Sequence, residues 1–203
     1  MTNPTLTLRR ATPDDAEVYA TTAAATFVES YAATTPPEEM AAHLARAFGV
    51  AQQRQELADP TRAVFALVDP TGCWVGFTAV AATPSPPCVS GARPLQVERI
   101  YVRAASHGRG HGRTLLAAVD AEAARRGADV LWLQVWEHNL AAHAFYARLG
   151  WTRAGTHPFL MGTRYEDDWV LVRRVAATQS ADPMMMPPTA PGPPAQTTAP
   201  SAG

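Results

Sequence analysis

ERIYVRAASHGRGHGR, residues 98–113, is the stretch that decides the fold. It begins with residues that favour a strand, of which Ile100, Tyr101 and Val102 are the clearest. It then runs through glycines at positions 108, 110 and 112, and the apolar pattern TLLAAV at 114–119 continues at helical spacing. A helix N-terminus binds anions through its free amides and partial positive charge, and glycine lets a phosphate approach the backbone. The sequence therefore predicts an anion-binding strand, turn and helix.

Two arginines in this turn, Arg109 and Arg113, add charge that can pair with phosphate oxygens. The turn is not a P-loop, because that motif needs a lysine and the chain has none. Its glycine spacing and mid-chain position also differ from the dinucleotide-binding fingerprint. Taken alone, the stretch leaves open a plain strand-to-helix connection with glycines for tight packing.

Residues 98–151 resemble the GNAT superfamily of acetyl-CoA-dependent N-acetyltransferases. The segment HGRGHG at 107–112 is similar to the family signature Q/R-x-x-G-x-G/A, with histidine in the first position. A second block, NLAAHAFYARLGW at 139–151, matches N-x-x-A-x-x-F-Y-x-x-x-G-F/W. TFVESY at 26–31, VERIYV at 97–102 and HPFLMG at 157–162 look like the bacterial spermine/spermidine acetyltransferase branch.

The resemblance implies an α/β (α+β) GNAT fold. This fold has a mixed central sheet of about six to seven strands, flanked by about four helices and splayed between its central two strands. Residues 1–175 are expected to form this domain. Residues 176–203 are mainly Pro, Ala, Thr, Met, Gly and Ser, which predicts a disordered tail. Patterns along the chain predict strands near 6–9, 62–68, 73–81, 95–102, 130–135, 151–156 and 169–173, and helices near 12–26, 36–48, 52–58, 110–126 and 140–149.

The resemblance also implies acetyl-CoA as cosubstrate, with its pyrophosphate on the turn and its pantetheine arm along the central strand. Asn139 would cap the following helix, bond the pantetheine arm, or do both. The expected cofactor-binding residues are Ile100, Tyr101, Val102, His107, Gly108, Arg109, Gly110, His111, Gly112, Arg113, Asn139 and Tyr146.

Amide formation needs a base for the amine and an acid for the leaving thiolate. Glu98 is the candidate base, since branch members carry a glutamate at this place, and a water relay or a raised pKa is then implied. The alternative is a strand-edge carboxylate paired with an arginine. Tyr146 is the candidate acid, and its alternative is an aromatic residue that merely packs beside Phe145.

The acceptor is expected to be a small primary amine, polyamine-like by resemblance, that is attacked directly in a ternary complex. Phe27, Glu29 and Tyr31 would wall its side of the cleft. The alternatives are a protein amine acetyltransferase, and a CoA-binding regulatory module without turnover.

Composition and charge limit which binding partners and which cellular compartment are expected. A net charge of −1 and a pI near 6.6 give no electrostatic footprint for nucleic acid, and no apolar run approaches a membrane span. Two cysteines form no disulfide framework, so a cytoplasmic location is expected, and a homodimer is left open. The histidine pairs 107/111 and 138/143 lack a metal-ligand spacing with cysteine or carboxylate, so no metal is expected.

Overall fold

The computed structural model describes residues 5–161 and 164–175, and within them the chain forms seven strands and five helices. The strands are β1 Thr7–Arg10, β2 Arg62–Val68, β3 Trp74–Ala81, β4 Pro94–Val102, β5 Val130–Trp136, β6 Thr152–Met161 and β7 Arg164–Arg174. The helices are α1 Ala16–Tyr31, α2 Pro37–Ala47, α3 Val50–Ala58, α4 His111–Arg126 and α5 Leu140–Ala147. The mixed α/β fold expected from the sequence is confirmed, with five helices in place of about four.

The strands form one sheet in the order β1-β2-β3-β4-β5-β7-β6. Neighbours are antiparallel except β4 and β5, which run parallel at the centre. Pairing between these two strands is limited to residues 94–96 of β4 and residues 130–132 of β5, and beyond these residues the strands diverge. This is the predicted splay, and it leaves the β5-facing backbone edge of β4 without a strand partner beyond Gln96 among the described residues.

A β-bulge interrupts β4 where the splay opens. Along β3, Ala79 pairs with Arg99 and Val80 pairs with Val97, so Glu98 is the extra residue with no partner in the register. A bulge bends a strand and redirects the side chain of its extra residue. The bulge therefore redirects the side chain of Glu98 at the point where β4 begins to diverge from β5.

Helices cover both faces of the sheet, because alternate residues of each strand point to opposite sides. On one face, Tyr19 and Phe27 of α1 pack with Trp74 and Phe77 of β3. On the other, Leu116 and Val119 of α4 pack with β5, and α5 completes this core with Tyr146. The splay therefore opens between two helical layers.

The β6–β7 pair is much longer than the sequence predicts. Pro158 and the acidic run Glu166–Asp168 look like loop residues, yet Pro158 pairs with Asp167 and His157 pairs with Asp168. The position of β6 explains the proline, because the strand forms the edge of the sheet and edge strands tolerate a missing donor. Gly162 and the predicted tail at 176–203 lie outside the described residues.

Candidate active site

The turn before α4 has the backbone geometry of an anion site. Gly108 and Gly110 have φ values of +75° and +82°, and Gly110 is the N-cap of α4. Neither would meet another atom within 4 Å if it carried a Cβ, so positive φ, not space, makes glycine the preferred residue. In the described chain, the amides of His111 and Gly112 donate no backbone hydrogen bond. They are free to bind an anion.

His107, which departs from the family signature, ties this turn to the end of β4. Its Nε2 lies 2.7 Å from the carbonyl oxygen of Val102, which can only accept, so the ring donates from this nitrogen. The histidine side chain thereby fixes the turn, and its backbone amide donates a hydrogen bond of 3.2 Å to the carbonyl oxygen of Ala104.

A cavity of about 640 Å³ lies between the divergent strands and this turn. It is lined by β4 from Val97 to Val102, by the turn and by the start of α5. Gly112 allows α5 to come close, because a Cβ there would lie 3.1 Å from Cζ of Phe145. Of the expected cofactor-binding residues, those lining this cavity are Ile100, Tyr101, Val102, His107, Gly108, Gly110, His111, Gly112, Arg113, Asn139 and Tyr146.

Helix α5 presents Tyr146 to this cavity. Its N-cap is Asn139, whose side chain accepts a hydrogen bond of 3.1 Å from the amide of Ala142. Tyr146 is 6% exposed and packs between Phe145 and Trp151. Burial raises the pKa of its hydroxyl well above the ordinary value, so the group is protonated at neutral pH and can donate.

A second cavity, of about 320 Å³, lies on the α1–α2 side of the splay. Its walls are largely aromatic, and the rings of Phe27 and His43 stack at 4.4 Å while those of Tyr31 and Trp136 meet edge to face at 6.4 Å. The cavity is lined by Phe27, Tyr31, Thr34, Thr35, His43, Ala47, Phe48, Gln96, Glu98, Arg99, Tyr101, Gln134, Trp136, Phe159, Glu166 and Asp168.

The two cavities share five lining residues, which mark where they meet: Tyr31, Glu98, Arg99, Tyr101 and Gln134. Here the hydroxyls of Tyr101 and Tyr31 are hydrogen-bonded to each other. Burial raises the pKa of both phenols, so they remain neutral hydrogen-bonding groups. A group entering from one cavity would therefore reach a group entering from the other beside Glu98.

Both charged side chains at this junction have ionic partners. Glu98 forms an ion pair with Arg62 of β2. Arg99 binds Glu56 of α3 at 2.8 Å and the hydroxyl of Tyr19 at 2.9 Å. The alternative left open for Glu98, a carboxylate paired with an arginine, is thus present, and Glu98 also lines both cavities.

Asp168 of β7 was missed by the sequence analysis, although it lines the smaller cavity. It is 7% exposed, and its carboxylate has no hydrogen-bond or ion-pair partner within residues 5–161 and 164–175. Burial, reinforced by repulsion from Glu166, Asp167 and Glu137, raises its pKa to about 7. The signal that could have found it is alternation, since Asp168, Val170 and Val172 fall on one face of a strand.

The other acceptor-side predictions have different outcomes. Phe27 and Tyr31 line the smaller cavity, but Glu29 lies outside both linings. Glu29 binds Arg103 and the amide of Ala104, each at 2.8 Å, and so holds the segment that follows β4. His43 also lines this cavity, and burial lowers its pKa.

Arg109 does not line the larger cavity, unlike the rest of the turn. Within the described chain, no three His, Cys, Asp or Glu residues lie close enough to hold a metal ion. None of the described helices combines the length and apolarity needed to cross a bilayer.

Comparisons with known proteins agree with this geometry. A family model described as "Acetyltransferase (GNAT) family" matches residues 24–151. An uncharacterised N-acetyltransferase of Lactobacillus delbrueckii is 30% identical over 146 residues, covering 72% of this chain and 84% of the relative. Another, from Mycobacterium bovis, is 30% identical over 161 residues, covering 79% of this chain and 98% of the relative.

Solved structures share the fold. A PaiA N-acetyltransferase of Thermoplasma acidophilum, solved in complex with coenzyme A, has a TM-score of 0.68 at 14% identity, covering 84% of this chain and 99% of that one. A GCN5-related N-acetyltransferase of Rhodopseudomonas palustris has a TM-score of 0.65 at 22% identity, with coverages of 86% and 98%.

Proposed function

The chain belongs to the GNAT family of acetyltransferases, and from that premise we propose that it acetylates a small, cationic primary amine with acetyl-CoA. The observation that carries the proposal is the junction of two cavities of opposite character. One is bordered by free helix amides and Arg113, which suit an anionic donor. The other is bordered by carboxylates and aromatic rings, which suit a cationic acceptor.

The larger cavity, which we call the donor side, fits acetyl-CoA, and acetyl-CoA supplies an activated acyl thioester. The turn from His107 to Arg113 would hold the pyrophosphate, with Gly108 and Gly110 keeping the backbone accessible. The unpaired edge of β4 at Ile100–Val102 offers backbone groups to the amides of the pantetheine arm. Asn139, as the cap of α5, keeps Tyr146 facing the same space.

On the acceptor side, the volume favours a small molecule over a protein substrate. A cavity of about 320 Å³ lies at the lower end of the range for small-ligand sites. Its aromatic walls provide rings that attract an ammonium group and pack along an alkyl chain. A polyamine-like acceptor, as in the spermine/spermidine branch, has both features, whereas a lysine on a folded protein would require an open groove.

Glu98 and Tyr146 are proposed to move protons during the transfer. Glu98 lines both cavities, so it can accept a proton from the attacking amine directly or through water. Its carboxylate also forms an ion pair with Arg62, which holds the side chain in place at the junction. Tyr146 keeps its proton through burial and can give it to the departing thiolate.

The test is CoA release measured against a panel of amines, corrected for hydrolysis of acetyl-CoA without an acceptor. We expect turnover with short primary amines that carry a second cation, and weaker turnover with neutral or peptide amines. Acetylation confined to protein lysines would contradict the small-molecule acceptor, and binding of acetyl-CoA without turnover of any amine would contradict the enzymatic function.

A further inference from the structure

We infer that Asp168 is the carboxylate that binds the acceptor's ammonium group and takes the first of its two departing protons. This inference rests on the proposed function and adds a residue that neither the family motifs nor the sequence analysis assigns. It begins from an anomaly: Asp168 is only 7% exposed, and its carboxylate, which faces the cavity, has no hydrogen-bond or ion-pair partner in the described part of the chain. Buried charges are ordinarily paired, so an unpaired one facing a cavity implies a cationic partner from outside.

The sheet register fixes where this carboxylate stands. Asp168 pairs with Trp136 of β5 on one side and with His157 of β6 on the other. It is therefore in the interior of the sheet, at the level where the β5 strand ends, and it lines the cavity with the Trp136 ring. Aromatic walls with a carboxylate at one end form a receptor for a protonated amine.

Two other charged side chains that line the cavity are already held in ion pairs. Arg99 is held by Glu56, and Glu98 is held by Arg62. His43 is kept neutral by a pKa that burial lowers, so it adds no competing positive charge. The titratable and charged groups bordering Asp168 from its own and neighbouring elements are Tyr31, His43, Glu98, Arg99, Glu137, His157, Glu166 and Asp167.

The separate roles of Asp168 and Glu98 follow from the two protons that the ammonium group must lose. The amine enters as R–NH₃⁺, and one N–H proton passes to Asp168, leaving R–NH₂. As the C–N bond forms and the C–S bond breaks, a second N–H proton goes to Glu98 and the hydroxyl proton of Tyr146 goes to sulfur. Exchange with water restores all three groups, and one proton is released per turnover.

The unusual basicity of Asp168 supports the first step. A carboxyl that titrates near neutrality is a far better proton acceptor than an ordinary carboxylate, yet it still ionises at physiological pH. Binding of the ammonium group would lower that pKa by offsetting the repulsion from Glu166, Asp167 and Glu137. The group is thus a carboxylate while the ammonium is bound, and it regains its raised pKa as the amine loses its charge, which favours the proton transfer.

The experiment compares Asp168→Asn with Asp167→Asn, a matched control that removes one charge from the exposed face of the same strand. Calorimetric titration with 1,4-diaminobutane, in the absence of acetyl-CoA, should show about 10- to 100-fold weaker binding for D168N. D167N should stay near the unmutated value, and 1,4-butanediol should bind weakly to all three proteins. Equal amine affinity in D168N and D167N would overturn the inference.

Turnover gives a second readout, measured with whichever amine the panel identifies. In the unmutated protein, kcat/KM should rise as pH passes through about 7. D167N should keep this rise with a somewhat lower midpoint, because one charge that repels Asp168 is gone, and D168N should lose the rise. An unchanged profile in D168N overturns the inference and leaves the proposed function intact. Conversely, amine binding that depends on Asp168 without any turnover supports the binding site and contradicts only the proposed reaction.

A measurement on the unmutated protein covers the case in which D168N does not fold. With aspartate labelled at the carboxyl carbon, NMR should reveal one resonance that titrates near neutral pH and moves to a lower titration midpoint with 1,4-diaminobutane. Absence of any aspartate with this response would overturn the inference.

Discussion

Replacing Asp168 by asparagine should make the fold more stable at neutral and alkaline pH but leave it nearly unchanged at pH 4. Asparagine keeps the shape and removes a carboxylate that is buried without a partner in the described chain. In the folded protein its pKa is raised to about 7, against an ordinary value of 3.8. The folded state therefore binds the proton more tightly than the unfolded state, so between these two values stability falls as pH rises.

The size of the effect follows from the shift. At about 1.4 kcal/mol per pKa unit, a rise from 3.8 to about 7 corresponds to at most about 4 kcal/mol of lost stability above pH 7. Water entering the cavity screens part of this, so we expect D168N to gain about 2–4 kcal/mol at pH 8. At pH 4 the carboxyl is protonated in the folded protein and the gain should nearly vanish.

Urea unfolding followed by tryptophan fluorescence, at pH 4.5, 6, 7 and 8, measures this difference directly. His43 and His143 also affect the parent protein, since burial lowers their pKa values and they raise stability as pH increases toward 6.5. Both histidines remain in D168N, so subtraction isolates Asp168, and D167N controls for net charge. A pH-independent difference between D168N and the parent would refute the reasoning.

Three other variants test the donor side and the chemistry. Tyr146→Phe keeps the ring packing, so its melting temperature should hold while turnover falls by about 10²–10⁴-fold. Glu98→Gln should lower turnover by about the same factor, with a smaller loss at high pH and unchanged acetyl-CoA affinity by calorimetry. Gly110→Asp should abolish acetyl-CoA binding, because φ is +82° there and the new charge meets the phosphates. Gly49→Asp, at a φ of −67° with open space around it, is the matched control that should bind normally. Loss of fold in Tyr146→Phe, full turnover in Glu98→Gln, or equal acetyl-CoA affinity in the two glycine variants would contradict the assigned roles.

The strand, glycine turn and helix at residues 98–126 were predicted well from the sequence because local geometry determines them. Residues with strand propensity, glycines at Gly108 and Gly110, and a helical repeat place the turn without any long-range contact. The role of Gly112 was only partly visible, since its close approach to Phe145 depends on how α5 packs on α4. Local sequence specified the turn, and tertiary packing gave a second reason for glycine at position 112.

The acceptor side was predicted less well because distant segments build it. Glu98 was expected at the right strand position, but its partner Arg62 is 36 residues away and belongs to another strand. Asp168 lies in the run Glu166–Asp168, which looks like a solvated loop until the strand alternation is known. Charge runs are ordinarily exposed, and only the β5–β7 register brings this carboxylate into the interior.

The splay itself connects the two sides of the site. Because β4 and β5 separate after Gln96 and Trp132, the β4 backbone keeps an edge along the larger cavity that no described strand pairs, and the sheet opens toward the α1–α2 layer at the smaller cavity. The helix dipole and Arg113 make one entrance positive, and the carboxylates make the other negative. In the proposed function, an anionic thioester and a cationic amine would each be attracted to a different cavity. Their reacting groups would then meet at the shared residues around Glu98 and Tyr101, so under this proposal the selection of substrates by charge and the alignment for transfer arise from the same break in strand pairing.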